Sequence, residues 1–446
     1  MNAASTPRPR LSAWSQIAIS LYWFGSSAHW TAILVTLLPL QAERIGGAEM
    51  KGTTLGQILA LGAFVSMVAA PLFGMWSDRV RTRWGRRAPF LVAGTIGNVA
   101  GLLLLAFIPS VPSALVPYVL AYALINLTNN LATAPYSAII PEMVPPEQRG
   151  AASGWMGLLQ MLGNFLGGIT GIVLSLLSAR LGEGTAISYA YMAIAAILVV
   201  GMLGTLAALR EPEPPAEVPP FDIGTVIAGI RAPFASRDFS WVFWTRFLVT
   251  LGTFTVQGFI LFYMKDVVAR GAQTFSYRFF GTELATDAGA ATSFFILALL
   301  LGAIIASLSA GQLSDRYGRK LMVYISGGLQ ALVVVVFILV GDFSVAVLMG
   351  VVFGLGYGAY NAVDWALGAD VLPSQDDYAK DMGVWHIAMT LPQSIATPIA
   401  GVLLDTFQRI GARSGQPTLG YTVIFGLAFV YFVLGTVLVH QVRGAR

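Results

Sequence analysis

The 446-residue sequence contains no cysteine, which excludes disulfide frameworks, thiolate metal sites and cysteine nucleophiles and leaves the redox compartment unmarked. Its three histidines, His29, His386 and His440, are too few and too scattered for a zinc motif, so no metal or other cofactor is expected. Charge is scarce as well. Only 11% of residues are Asp, Glu, Lys or Arg, against about 25% in soluble domains. With 56% hydrophobic residues and a mean hydropathy of +0.72, a water-soluble enzyme is not expected. The 26 Lys and Arg exceed the 22 Asp and Glu by only +4 and lie in short clusters between apolar runs, which makes nucleic acid a poor partner. The polar opening Met1–Arg10 leads into an apolar stretch with no small-residue cleavage site after it, and reads as a cytoplasmic tail before a retained span.

What the sequence does hold is apolar length. Stretches near 14–40, 54–76, 88–108, 113–140, 150–177, 186–209, 239–264, 290–313, 320–340, 343–369, 379–405 and 419–440 can each cross about 30 Å of hydrocarbon as a helix. The expected fold is therefore an all-α integral membrane protein with twelve transmembrane helices. Most Lys and Arg fall in the tail, the 77–87 loop and the alternate connections that follow, which places both termini in the cytoplasm of a plasma (inner) membrane. Residues 210–238, rich in Pro and Glu at their start, read as a linker between a six-helix bundle at 1–209 and another at 239–446. The loop GMWSDRVRTRWGRR (Gly74–Arg87) recurs as GQLSDRYGRK (Gly311–Lys320) 237 residues later, and AIIPEMVPP (Ala138–Pro146) as ALGADVLPS (Ala366–Ser374) 228 residues later. Such a duplication, with a site between the repeats, is the arrangement of secondary transporters. Glycines at four-residue spacing, Gly163, Gly167 and Gly171 in span five and Gly350, Gly354 and Gly358 in span ten, clear helix faces for close approach.

The pattern of Gly74, Asp78, Arg79, Arg86 and Arg87, with its copy at Gly311, Asp315, Arg316, Gly318 and Arg319, resembles the signature loop of the major facilitator superfamily. Arg83-Trp84-Gly85-Arg86-Arg87-x-Pro89-Phe90, Ala134-Pro135-Tyr136-Ser137-Ala138 and Glu147-Gln148-Arg149-Gly150 further resemble the glycoside-pentoside-hexuronide cation symporters and the sucrose carriers. The resemblance implies spans one, four, seven and ten around a central cavity. It also implies gating contacts: Asp78 with the start of span eleven near Ala379, Asp315 with the start of span five near Gly150, and the arginines with Glu142 or Asp370. A carboxylate at a helix N-terminus contributes about 0.3 to 1 kcal/mol, so such latches can break as the carrier opens. The sodium-coupled carriers' paired aspartates before the span-two proline are replaced here by Ser66 and Ala70, and the charged cluster of plant sucrose carriers by Leu251, Thr253, Gln257 and Gly258.

Ionisable residues inside spans are functional candidates by default. Asp364 and Arg246 lie at similar depth from the same side and are expected to approach one another and act in coupling; Asp364 reads as the single deep aspartate. His29, near mid-membrane beside Trp30, is a candidate proton carrier or substrate contact. Asn126, Asn129 and Asn130 share a helix face, and with Gln257, Asn361 and Gln393 they suit a hydroxyl-rich solute, while Tyr22, Trp30, Tyr360 and Trp365 offer apolar faces for its carbon skeleton. The amides could instead hold helices together. The expected function is secondary transport of a small neutral solute, a sugar or glycoside, by alternating access with proton coupling, in a monomer. An exporter of drug-like or lipid-like molecules, a membrane-embedded enzyme and a channel are the competing classes; an enzyme would need more than one deep carboxylate.

Overall fold

The computed structural model describes residues 10–211, 231–272, 275–371 and 378–443; within these, the side chains of 141, 146, 150, 308, 311, 312, 315, 365, 366, 369, 370, 378–383 and 386 are outside the description. Most of the expected linker, 212–230, also falls outside it. Among the described residues eleven helical runs are long and apolar enough to cross a membrane. The first, Ala13–Arg79, has 67 residues, which at 1.5 Å each is about 100 Å, roughly three hydrocarbon thicknesses. It breaks at Gly47, whose φ of 70° and ψ of 175° suit glycine. A side chain added at Gly46 would strike Thr54, which a continuous helix would hold about 12 Å further along its axis. The run therefore doubles back and crosses twice, which makes twelve spans.

Span one comprises Ala13–Ala32, a π turn at Ile33–Leu37 and the start of Leu38–Arg79; span two is the remainder of that helix after Gly47. Span three is Ala88–Phe107, span four Leu115–Tyr136, span five Arg149–Gly168 with Thr170–Leu181, and span six Glu183–Ala208. Span seven is Arg237–Tyr263 with a π turn at Met264–Val268. Spans eight to twelve are Ala288–Tyr317, Arg319–Leu339, Phe343–Asp370, Tyr378–Arg413 and Leu419–Leu438. Span four stops earlier than its apolar stretch suggests, with Pro135 in its last turn and a separate short helix, Ile139–Met143, after it. Span eleven runs on past its apolar stretch to Arg413. Twelve crossings put both chain ends on one face, the terminal face. The Gly47 turn lies on the opposite, far face with an antiparallel hairpin of β1 (Tyr277–Phe279) and β2 (Thr282–Ala285).

Within the first half of the chain, span one packs against spans five and six, span four against two and three, and span three against six; within the second, span ten packs against eight and nine, and span twelve against seven, nine and eleven. The halves meet chiefly through span two on eleven and span five on eight. The duplication read from the loops is also present in backbone detail, since the π turns at Ile33–Leu37 and Met264–Val268 occupy corresponding first spans. Glycine sets the closest approaches. A Cβ at Gly163 or Gly167 would meet the Phe24 or Ala28 carbonyl of span one, and at Gly354 or Gly358 the Leu299 or Ala303 carbonyl of span eight. At Gly171 it would meet Gly289, and at Gly401 it would meet Gly52, so both contacts between the halves bring backbone against backbone.

Because the Gly354 site has no room for even a methyl group, Gly354→Val is expected to lower stability by about 1 to 3 kcal/mol. Gly328→Val, where nothing lies within 4 Å, should change it far less. Melting of the two variants in detergent checks this.

Candidate functional site

Span seven carries Arg246 inward and span ten carries Asp364 to meet it, Nη1 to Oδ2, at 2.6 Å. Both are enclosed, 3% and 2% exposed. The guanidinium also lies over the ring of Trp385 on span eleven, 4.7 Å from its centroid, and Nη2 is 3.5 Å from the Met389 sulfur. The Tyr360 hydroxyl neighbours the carboxylate one turn before it. A full charge pair is thus held between spans seven, ten and eleven, and the aspartate's second oxygen, Oδ1, has no hydrogen-bond partner among the described residues. Trp385 escapes a reading of the sequence because an aromatic in an apolar span looks like core; only the guanidinium above it marks it out.

The amides divide into two kinds. Asn126 accepts from the Ser66 hydroxyl (2.9 Å) and donates to the Tyr122 carbonyl, while Asn130 donates to Ser66 (2.9 Å) and to the Asn126 carbonyl. Ser66 thus ties span two to span four. Asn129 is 7% exposed and its Oδ1 is unpartnered among the described residues. Gln257 and Gln393 are half-buried, and Asn361 is exposed and donates to the Tyr357 carbonyl at 2.8 Å. Trp30 is half-buried and meets Tyr122 edge-on at 6.4 Å.

His29 and Tyr22 are placed differently from the expectation that they face a solute. Both are 0% exposed. His29 stacks edge-on against Trp30 at 4.7 Å and has neither ring nitrogen hydrogen-bonded among the described residues. Tyr22 packs against Tyr136 and approaches Thr95. Tyr22 therefore turns towards spans three and four, within the first half. The Trp365 side chain lies outside the described residues.

On the terminal face, Arg87 donates to Glu142 (2.5 Å), pairs with Asp78 (2.6 Å) and contacts Ser77, and Arg86 pairs with Glu142 at 2.8 Å. Burial works against the Arg87 charge, but Glu142 and Asp78 outweigh it and hold its pKa above the ordinary arginine value. These contacts lie within the first half; the expected partner of Asp78, the start of span eleven near Ala379, has its side chains outside the described residues. Arg79 donates to the Met75 carbonyl, Arg316 lies over Tyr317, and Arg319 opens span nine. No described atom lies within 4 Å of a Cβ built at Gly74. The side chains of Asp315 and Asp370 lie outside the described residues. An unforeseen group completes the loop: Glu211, at the start of the linker, accepts from the backbone N–H groups of Arg86, Arg87 and Ala88 at 2.6 to 2.9 Å and so caps span three.

The far face holds a second charged cluster, formed by residues near span ends. Lys51, 3% exposed, pairs with Asp266, lies 3.8 Å from Glu43 and sits over the Phe262 ring. Lys265 pairs with Glu43 at 2.9 Å, and Tyr421 donates to Asp266. Asp405, 2% exposed, accepts from the backbone N–H groups of Gly52 (3.1 Å) and Thr53 (2.5 Å) near the start of span two. Asp405 is thus a second enclosed aspartate, at the far face. At the corresponding contact the Ile172 N–H meets the Ser293 hydroxyl at 3.3 Å. Lys51 with Asp266, Lys265 with Glu43, Asp405 with Gly52 and Thr53, and Ile172 with Ser293 thus join the two halves on this face.

Over residues 48–440 the chain matches the family described as MFS/sugar transport protein. It belongs to that family. Sucrose transport protein SUC4 of Arabidopsis thaliana is 25% identical over 181 residues, 37% of this chain and 35% of its own. The putative glycoside/cation symporter YagG of Escherichia coli is 28% identical over 159 residues, 35% of this chain and 33% of its own. The chain thus matches about a third of the length of these relatives. The inward-facing, occupied structure of a bacterial homolog to human lysosomal transporter Spinster shares the fold at a TM-score of 0.71 and 14% identity, covering 96% of both chains. The structure of nucleoside transporter NupG does so at 0.68 and 15%, covering 96% of this chain and 98% of its own.

Removing one member of the Arg246–Asp364 pair leaves a buried charge alone, so Arg246→Met is expected to destabilise by about 3 to 5 kcal/mol, and Arg246→Met with Asp364→Leu to regain most of that loss. Unfolding of the single and double variants checks the coupling.

Proposed function

We propose that the protein is a secondary carrier that moves a small neutral saccharide or glycoside by alternating access, with the Arg246–Asp364 pair coupling proton movement to the conformational change. The reading rests on that pair: an acid and a base held together at depth inside a transport-family fold, with exposed Asn361 and half-buried Gln257 and Gln393 on the same three spans. Protonation of Asp364 would release Arg246, and a freed guanidinium is a donor for solute hydroxyls. Relatives described as sucrose and glycoside transporters support the solute class.

In this reading residues 1–209 and 239–446 move as two bodies on the linker. The terminal face looks into the cytoplasm of the plasma (inner) membrane, both termini lie on that side, and a monomer suffices. The far-face contacts of Lys51, Asp266 and Asp405 belong to the state closed on that side, and the Asp78 and Asp315 loops provide the latch for the opposite state. Asn126 and Asn130, held by Ser66, keep span four against span two, which leaves Asn129 and Trp30 as the first half's solute contacts.

Proteoliposomes given labelled sucrose or maltose in the external medium and an inward proton gradient provide the test. Uptake should exceed that without a gradient, and Asp364→Asn should abolish gradient-driven accumulation while keeping solute exchange. Gradient-driven accumulation by Asp364→Asn at the full rate would overturn the coupling role, and absence of saccharide movement under both conditions the solute class. Since the chain has no native cysteine, an Ile172→Cys, Ser293→Cys pair can be cross-linked selectively. The cross-link is expected to stop transport, with recovery on reduction.

A further inference from the structure

The hairpin between spans seven and eight carries an unusual tip. Its two turn residues, Phe280 and Gly281, have φ of 45° and 92°, a type I′ pair in which the first position is ordinarily Asn, Asp or Gly. A phenylalanine there is held in the left-handed region against its steric preference. Its ring is not compensated by burial, being 73% exposed. The rest of the hairpin is fixed. The Ser344 hydroxyl donates to the Arg278 carbonyl (3.0 Å) and accepts from the Phe280 N–H (3.1 Å). Tyr277 packs edge-on against Phe343 and donates to the Met264 carbonyl.

Two further observations say what lies beside that ring. The first is height. Span ten has 28 residues and is about 42 Å long against about 30 Å of hydrocarbon, so its first residues, where Ser344 grips the hairpin, stand at headgroup level. The second is direction. At 100° per residue, Ser344 and the exposed Leu348 point about 180° away from Tyr357, Tyr360 and Asp364, the stripe that faces span seven and Arg246. Gly350 and Gly354 turn to span eight and Gly356 to span nine between those directions. The hairpin therefore sits on the outer side of span ten, against the bilayer rather than over the space between the halves.

We propose that Phe280 is a lipid contact: the hairpin tip seats in the boundary between headgroups and acyl chains of the far-face leaflet, with exposed Arg278 on the strand beside it to meet lipid phosphate. An apolar ring at this height and direction loses its exposure only to lipid, and an aromatic belt at the interface is where such rings are favoured. The hairpin would then pin the outer edge of span ten, the helix that carries Asp364.

Phe280→Cys carrying a nitroxide label is the only thiol site in a chain without cysteine. In bilayers of phosphatidylcholine and phosphatidylglycerol, the ratio of its collisions with dissolved oxygen to those with a water-soluble nickel chelate should exceed, at least threefold, that of the same label at exposed Ser414→Cys in the turn between spans eleven and twelve. A ratio equal to that at Ser414, or protection from both reagents as at a protein contact, overturns the proposal. Phe280→Trp provides a second readout that keeps the ring. With the native tryptophan signal subtracted, its emission should be quenched by lipids brominated near the glycerol end; unquenched emission overturns the proposal as well.

Discussion

Hydrocarbon supplies no hydrogen bonds, so a polar group carried into it is costly unless the protein provides a partner. That constraint orders the structure. Backbone groups are satisfied by helix formation, so the helices can meet only through side chains or through bare glycine faces. The polar side chains are then drawn into the few places where helices converge. Arg246 and Asp364 are the extreme case, because neither charge is tolerable alone and each helix is held in register with the other by the pair. The hydroxyl of Ser66 plays a smaller version of that part for Asn126 and Asn130.

The contacts between the two halves add polar and backbone contacts to an apolar core that both halves share. Inside each half, large side chains interlock, as Tyr263, Phe337 and Phe425 do. Across the halves, Gly52 lies against Gly401 and Gly171 against Gly289, with Asp405 and Ser293 receiving backbone N–H groups. Buried Leu55 and Ile58 of span two and Ala400 and Leu404 of span eleven belong to the same apolar core. The hydrogen bonds among these contacts exchange for bonds to water at low net cost where water reaches them.

Much of this was legible in the linear sequence. Apolar length gives the spans, four-residue glycine spacing gives the close helix pairs, and equal depth from one side of the membrane suffices to bring Arg246 to Asp364. The losses have a common cause: depth can be counted along a helix, but direction around it depends on the neighbours. His29 and Tyr22 are enclosed among aromatic side chains, which counting along the helix does not indicate. The charges of Lys51, Asp266, Asp405 and Glu211 look like topology markers at span ends, and their partners are far away along the chain. Lys51 and Asp266 are 215 residues apart, and nothing local to either residue announces the other.

The reversal at Gly47 consumes a single residue, with no slack on either side. Spans one and two are thus joined at a single glycine, the residue with the widest backbone freedom, so the angle between them is set by what each packs against rather than by the connection itself.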